Sequence, residues 1–549
     1  MKRAVLIDGY IDEPAALGVP PYISPYVRYV YGALRKRDFD VSYLTIDEIR
    51  AKNHWNLETD LLVVYGGVTV PGHYLSGSPI TLSEVRKIVL HSKAGLKIIG
   101  GPLTRTYTLK GGTISRIPDI EGAIAVRGDL WAFLDMYLSG GKPDIYIRDN
   151  YALVNELAIF GAELIRNHPK FPNVICEVEV SRGCERMSFC SFCTEPLLHG
   201  RLRSRDVEGI LKEIEALCKA GCRAFRLGRS ANILAYMAEK NNFKVLPEAL
   251  LDLYTGIRNA CPSLEVLHTD NANPSFIVSN LPESLRAIET IAKHNTPGDI
   301  LSFGAESFDP AVTKANNIGS KPEDVKKAIE IVNEIGGFRE GGIPKLLPGI
   351  NILYGLIGES EKTYEMNYRF LKDILEEGLL LRRINIRQVM VHPGTPLHHH
   401  YKQHKFKLKK HLFKQWKDRI RREVDLPMMK KVFPKGTVIR GVIPEEKRGK
   451  LLLARPLATY PVLIGTYSKI SQKSDVIIVN HGGRSLTGVK YPFDVNNASY
   501  EELTSIEGIG GGRAREIIMK RPFKDIDDME NKLEKETWEA LKDIILSRV

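Results

Sequence analysis

Apolar and polar positions follow two alternating periods through the first 130 residues. Short apolar runs (AVLIDGY, VSYLTI, DLLVVYGG, LKIIGG, GAIAVRG) are separated by helically spaced segments such as SPYVRYVYGALRKR and LSEVRKIVLHSKAG. This pattern predicts a parallel, doubly wound sheet. Gly9, Gly66, Gly67, Gly100 and Gly101 close those runs and are expected to line the carboxyl edge, where such sheets bind ligands. Residues 131–170 read as a connector. Across 171–400 the chain repeats strand and helix six times, with strands VICEVEVS, RAFRLG, LEVLHTD, DILSFGAES, GINILYGL and INIRQVMV and helices such as DVEGILKEIEALCKAG and PEDVKKAIEIVNEIGG. Such repetition predicts a parallel barrel or partial barrel with its chemistry at the carboxyl ends of the strands. Residues 401–431 follow as a basic linker or helix. Turn-rich strands over 432–492 predict a small β-barrel, and 493–549 is mostly helical with a glycine-rich hairpin.

A chain of 549 residues is too long for one hydrophobic core, so several domains are expected. No apolar run approaches the length of a membrane span, and a cytoplasmic protein without a membrane partner is expected. The formal charge of +12 suggests a polyanionic partner, and its distribution sharpens the point. Residues 401–431 hold twelve Lys or Arg against three Asp or Glu. Tyr401, Phe406, Phe413 and Trp416 are interleaved with those cations, either as stacking platforms for bases or as one buried helix face.

Three of the seven cysteines fall in the ten residues CERMSFCSFC, Cys184 to Cys193, just after a strand-like run. A structural zinc site needs four ligands, and no second Cys-x-x-Cys or His-x3-His stands nearby. An iron-sulfur cluster on three thiolates would leave one iron open to an external ligand. Buried apolar cysteines are the third reading. With an odd cysteine count, none before Cys176 and none after Cys261, a disulfide framework is not expected. Cys218, Cys222 and Cys261 read as core packing in preference to a second cluster. The run His398, His399 and His400, with His392, His404 and His411 around it, reads as a solvated basic linker in preference to a metal site.

SRGCERMSFCSFC resembles the cluster loop of the radical S-adenosylmethionine (SAM) enzymes, whose usual spacing is Cys-x3-Cys-x2-Cys with an aromatic residue before the last Cys. Phe192 fills that place, while two extra residues separate the first two cysteines. FGAESFDP (303–310), NILYGLIGES (351–360) and NIRQVMVHPGTPL resemble the later strand-end segments of the same superfamily. The resemblance implies a 4Fe-4S cluster on Cys184, Cys190 and Cys193, with the methionyl group of SAM on the fourth iron. Reductive cleavage would then yield a 5'-deoxyadenosyl radical, with an electron donor such as ferredoxin or flavodoxin as partner. It places Phe192 near the adenine, and Glu306 and Ser307 near the ribose or the methionyl carboxylate. Gly228 and Arg229 stand where the family often has Gly-Gly-Glu for the methionyl amine. Arg229 cannot accept from an ammonium, so that contact must differ or Arg229 binds the carboxylate.

The N-terminal region resembles the Rossmann-like, cobalamin-binding domain of the methylating branch, without its Asp-x-His-x-x-Gly signature, which leaves cobalamin open as a further cofactor. Methylthiotransferases carry three cysteines in that domain for a second cluster, and this chain has none there. LTSIEGIGGGRAREII (503–518) matches the helix-hairpin-helix pattern, which implies that Gly508, Gly510, Gly512 and Arg513 contact a nucleic-acid backbone. The expected fold is therefore α/β: a Rossmann-like domain (1–130), a connector (131–170), a partial (β/α)6 radical SAM barrel (171–400), the basic segment (401–431), an OB- or TRAM-like barrel (432–492) and a helix-hairpin-helix (493–549). The leading functional expectation is modification of a nucleotide in structured RNA, with tRNA first among candidates. A cobalamin-dependent methyltransferase for a small molecule or protein is the second. A nucleic-acid-binding protein with a structural or redox-sensing cluster is the third.

Overall fold

In a computed structural model of the chain, residues 2–10, 22–67, 75, 77–108, 111–149, 151–405, 408–458 and 461–546 are described. The N-terminal region builds a parallel five-stranded sheet in the order Asp40–Thr45, Arg3–Gly9, Glu58–Gly66, Lys93–Gly100, Ile124–Ala125. Alternate residues serve opposite faces, as the two-residue period of a strand requires. Leu6, Leu61, Val63 and Ile98 join the large core that continues into the barrel, while Ile7, Leu62, Val64 and Ile99 pack with Ile80, Val85 and Ile88 on the other side. One expected boundary moves. The helix Leu82–His91 ends early because Lys93 donates its amide to Leu57 O at 2.7 Å, which draws the chain into the sheet three residues before LKIIGG.

The strand-end glycines Gly9, Gly66, Gly100 and Gly101 are closely packed by the chain itself. A Cβ on Gly9 would stand 2.4 Å from Ile80 Cγ2, and one on Gly101 2.5 Å from Gly66 O. The expected connector is also a packing layer. Its helices Leu130–Leu138 and Val154–Gly161 are apolar on most sides because both faces meet other elements. Gly32 in the helix Pro25–Lys36 and Gly161 make the crossing close: a Cβ on either would lie 2.1 Å from the other helix's backbone, at Leu157 O and Arg28 O respectively.

The six strands expected over 171–400 are present as Ile175–Glu179, Ala224–Gly228, Val266–His268, Asp299–Glu306, Leu346–Tyr354 and Arg383–Gln388. They form two four-stranded parallel sheets, because the third strand breaks after His268 and resumes as Asn271–Ala272 to pair with the fourth. The result is a partial barrel with two edges. One edge strand is Tyr22–Ile23, contributed by the N-terminal region and paired with Ile175–Cys176. The other is Arg383–Gln388.

The basic segment covers that second edge. Helix Lys410–Ile420 runs through a widened turn, Arg421–Asp425, into Leu426–Val432. Arg421 Nη1 donates to Ile384 O on the edge strand at 2.8 Å, so a carbonyl that lacks a neighbouring strand gains a donor. Phe413 meets Tyr354 edge-on at 5.7 Å and Trp416 meets Tyr368 at 5.5 Å. The Tyr401 hydroxyl donates to Gly355 O at 3.1 Å. Phe413 and Trp416 are half-buried and pack against the large core, and Tyr401 is half-buried; Phe406 lies outside the described residues.

Five strands between Val438 and Lys490 close into a barrel. Val438, Ile477 and Val489 share a core with Ile506, Ile517, Trp538 and Leu541 of the terminal helices, so 432–492 and 493–549 pack as one body. One further expectation is corrected. Cys218 and Cys261 form a disulfide, with Cα atoms 5.7 Å apart, because the helices Val207–Ala220 and Pro247–Ala260 that precede them end close together. Cys222 stays reduced in the core with Cys176. Among the described residues no helix is long and apolar enough to cross a membrane.

Candidate active site

The carboxyl ends of the barrel strands open onto a cavity of about 610 Å³. Cys184, Cys190, Cys193, Phe192, Arg229 and Glu306, all expected at the site, line it together. The cysteine loop is held from two sides. The Cys184 amide donates to Gly200 O at 3.3 Å, and the Leu202 amide returns a bond to Cys184 O at 3.0 Å. Ser191 donates its amide to Asn316 O at 2.9 Å and its hydroxyl to Asn316 Oδ1 at 2.7 Å. The two additional residues of the loop let Arg186 turn back, with Nη1 3.0 Å from Cys190 Sγ and Nη2 2.7 Å from Asn317 O.

Burial pushes the thiols of Cys184 and Cys193 up to about 12, and Cys190 is raised as well. A cationic metal centre beside thiols so placed would favour their thiolates. Among the described residues no three His, Cys, Asp or Glu side chains are set to hold one metal ion, although the three thiols share one wall of the cavity. That donor set suits a cluster with several metal corners better than zinc.

Charged residues ring the rest of the cavity. Arg229 donates from Nε to Glu177 Oε2 at 2.7 Å, and its guanidinium lies over the Tyr26 ring at 5.1 Å. The other oxygen of Glu177, Oε1, is buried without a hydrogen-bond partner. It lies 3.8 Å from Arg226 Nε in an ion pair and is an acceptor, the group that an ammonium would require and that Arg229 cannot provide. Gly228 does not line the cavity; a Cβ there would stand 2.2 Å from Glu177 Oε1, so the glycine makes room for that carboxylate. Ser307 also points elsewhere. It accepts the Asp309 amide at 3.2 Å and lies 3.5 Å from Asn367 Oδ1, because the chain turns sharply after the bulged end of its strand.

Glu306 and Arg229 adopt left-handed backbone conformations, φ +60° and +58°. Such conformations cost free energy in non-glycine residues and cluster at functional sites. Burial pushes the Glu306 carboxyl up to about 7, with Arg387 opposing the shift.

Several lining residues escaped the sequence reading, among them Glu177, Arg226, Asp270, Arg383 and Arg387, and Tyr26 and Arg105 from the N-terminal region. A signal for some was present. Strands buried on both faces run nearly continuously apolar, yet Glu177 and Glu179 alternate in VICEVEVS, and Arg383, Asn385 and Arg387 alternate in the last strand. Alternating charge in a barrel strand marks the inward face. Tyr26 and Arg105 carried no such signal, because only tertiary packing brings them to the cavity.

At the other end of the chain, the helices Tyr500–Thr504 and Gly511–Met519 flank a turn in which Gly508 has φ +95°. Arg513 folds back to donate to Gly508 O at 2.7 Å. Added Cβ atoms on Gly510 and Gly512 would meet nothing within 4 Å, and no side chain caps the second helix.

A sequence profile described as the Radical SAM superfamily matches residues 178–371. An uncharacterized protein of Archaeoglobus fulgidus is 39% identical over 538 residues, 96% of this chain and 97% of that protein. The tRNA-2-methylthio-N(6)-dimethylallyladenosine synthase of Protochlamydia amoebophila is 25% identical over 285 residues, 52% of this chain and 57% of that enzyme. Among solved structures, the radical SAM methyltransferase TsrM of Kitasatospora setae, with tryptophan and a SAM analogue bound, is 14% identical with a TM-score of 0.47, covering 72% of this chain and 75% of that one. With the cysteine loop, the strand-end cavity and the matching profile in one barrel, the chain belongs to the radical SAM superfamily, whose enzymes use a 4Fe-4S cluster and SAM.

Proposed function

We propose that the protein is a radical SAM transferase that modifies a nucleotide in structured RNA, with tRNA as the leading substrate class. Cys184, Cys190 and Cys193 would hold the cluster, which supplies the electron that splits SAM into methionine and a 5'-deoxyadenosyl radical. Glu177 Oε1 would accept from the methionyl amine. Phe192 and Glu306 would bound the nucleoside, and Tyr26 and Arg105 of the N-terminal region would help keep water from the radical. An electron donor of the ferredoxin or flavodoxin type completes the reaction. One observation carries the RNA reading: the inner face of the edge strand presents Arg383 and Arg387 to the cavity, and the segment with twelve cations packs on that same strand. The exposed Gly510 and the uncapped helix after it offer amides to a phosphate, as in a helix-hairpin-helix, and the adjoining barrel suits an OB- or TRAM-like role. A tRNA-modifying enzyme among the distant relatives supports the same class. A methylthiotransferase reaction with a second N-terminal cluster is disfavoured, since no cysteine precedes Cys176. The test is a comparison of tRNA nucleosides from a deletion strain and its parent; a missing modified nucleoside supports the reading, and identical profiles count against it.

A second reading, transfer of a methyl group through cobalamin, is favoured by the sheet order. In chain order the strands run 2-1-3-4-5, an arrangement that binds ligands at the carboxyl edge, and Pro102 and Arg105, just beyond that edge, line the cavity. The described glycines there are closed by Ile80 and by backbone, so no residue is assigned to a corrin. A cobalamin spectrum in the purified protein would favour this reading.

A further inference from the structure

The turn of Arg186 back into the cysteine loop gives its guanidinium two partners. Nη1 donates to Cys190 Sγ at 3.0 Å and Nη2 to Asn317 O at 2.7 Å. The carbonyl anchor is itself well fixed. Asn317 has a left-handed backbone, φ +52°, and its neighbour Asn316 is fully buried, donating from Nδ2 to Val312 O at 2.8 Å and to Ile357 O at 2.9 Å. Ser191, the residue after Cys190, binds the same Asn316 through its hydroxyl, so the cysteine loop and the anchor are joined at two points. Gly319 lines the cavity beside them. A Cβ there would stand 2.9 Å from both Cζ and Nε of Arg186, so the glycine leaves the space that the guanidinium fills.

Arg186 differs from two other arginines of the cavity. Arg229 is bound by Glu177 at 2.7 Å and Arg226 by Asp270, which offset their charge. Among the described residues Arg186 is hydrogen-bonded to a sulfur and a carbonyl and to no carboxylate. A half-buried cation is thus held against Cys190 by contacts that leave its charge uncompensated. A guanidinium that donates to a thiolate makes a charge-assisted bond. Hydrogen bonds to the sulfurs and local charge are among the factors that set a cluster's reduction potential, and a nearby cation favours the more electron-rich state.

We infer that Arg186 is a positioning residue that acts through Cys190 to raise the potential at which the cluster accepts its electron, an inference that rests on the cluster assignment above. The step is a one-electron transfer: a donor of the ferredoxin or flavodoxin class is oxidised, the cluster is reduced, and no bond forms or breaks. By opposing the added negative charge, Arg186 brings the cluster closer to the reach of such a donor.

The test is a reductive titration of the full-length protein, loaded anaerobically with iron and sulfide, using dithionite and redox mediators without SAM and following the reduced cluster by electron paramagnetic resonance. R186Q removes a unit charge at hydrogen-bond distance from a cluster ligand. It should disfavour reduction by about tenfold, a midpoint lower by about 59 mV for one electron. R186K keeps the charge without the planar fork that bridges two acceptors, and should fall between R186Q and the parent. G319A keeps the arginine and the cysteines but displaces the guanidinium; it should shift the midpoint in the same direction, and it reads the same contact if R186Q loads less iron. Iron and sulfide per chain are measured alongside, since a purely structural role would lower them and leave the midpoint of the clusters that do form unchanged. If clusters in R186Q and G319A titrate at the parent's midpoint or above it, whatever the iron content, the inference is wrong and the cluster assignment stands. If the parent assembles no 4Fe-4S cluster, both fail.

Discussion

Arg28 in the N-terminal region places Nη2 2.6 Å from Oε1 of Glu213 in the barrel, with both side chains fully excluded from solvent. Arg205 holds the other oxygen of Glu213, and Arg28 also donates to Glu177 O at 2.6 Å, on the strand whose Glu177 side chain lines the cavity. The pair therefore ties the N-terminal region to the strand that carries the cavity-lining Glu177. Replacing Glu213 with Leu would leave two guanidinium groups buried without a counter-charge. A loss of about 3–5 kcal/mol is expected, measured by urea unfolding, and the N-terminal region and barrel should still unfold in one transition because they share a core.

The cysteines sort into three sets with separable outcomes. C184S, C190S and C193S should each lose iron and acid-labile sulfide on anaerobic reconstitution, together with absorbance near the cluster band. C218S should keep the full complement, since Cys218 is in the disulfide with Cys261. Iron and sulfide analysis per chain checks both statements.

Glu177 Oε1 lines the cavity without a hydrogen-bond donor and pairs with Arg226 Nε only at 3.8 Å. If Glu177 accepts from the methionyl amine as proposed, E177Q should weaken SAM binding by about tenfold or more, which equilibrium dialysis of the cluster-loaded protein measures. G228A should act in the same direction, as its Cβ would collide with that oxygen. S307A should leave SAM affinity unchanged, since the hydroxyl serves the Asp309 turn.

Glu306 makes stability depend on pH in the cluster-free chain. Its carboxyl is raised from the ordinary value of 4.5 to about 7, so between those values the folded chain keeps a proton that the unfolded chain has released. Stability contributed by this group therefore falls as pH rises from about 4.5 to 7 and is level beyond. E306Q should flatten that part of the profile, read as the difference between the two proteins in urea unfolding across pH.

The glycines of the C-terminal hairpin differ in what they permit. G508A meets both a left-handed backbone and Ala540 Cβ at 3.1 Å, and should cost about 1–3 kcal/mol. G510A and G512A have open space and should leave the thermal midpoint nearly unchanged. If their amides approach an RNA backbone, the added methyl groups should still weaken tRNA binding, as titration would report.

Much of this arrangement was legible from local pattern. The six barrel strands stood out as apolar runs between helices of 3.6-residue period, and the cysteine spacing located one wall of the cavity. Relationships across long stretches of chain were not legible. Arg28 and Glu213 are 185 residues apart, Cys218 and Cys261 are 43 apart, and the Tyr22–Ile23 strand finds its partner some 150 residues on. Each depends on how the elements stack, which local periodicity does not encode. The segment 131–170 read as a connector because helices packed on several sides lack an amphipathic stripe. Gly32 and Gly161 were its one local sign, small residues inside helical patterns that allow a close crossing. Gly228 and Ser307, read as cofactor-binding positions, do not line the cavity; one makes room for Glu177 and the other shapes the turn at Asp309.

The most direct measurement is anaerobic reconstitution of the full-length protein with iron and sulfide, followed by SAM and a strong reductant, with quantification of 5'-deoxyadenosine. The account predicts that one 4Fe-4S cluster per chain forms and that 5'-deoxyadenosine is released, with both lost in C190S. A protein that holds its cluster intact under reductant and neither binds nor cleaves SAM, or that takes up zinc in place of iron at these cysteines, would contradict it.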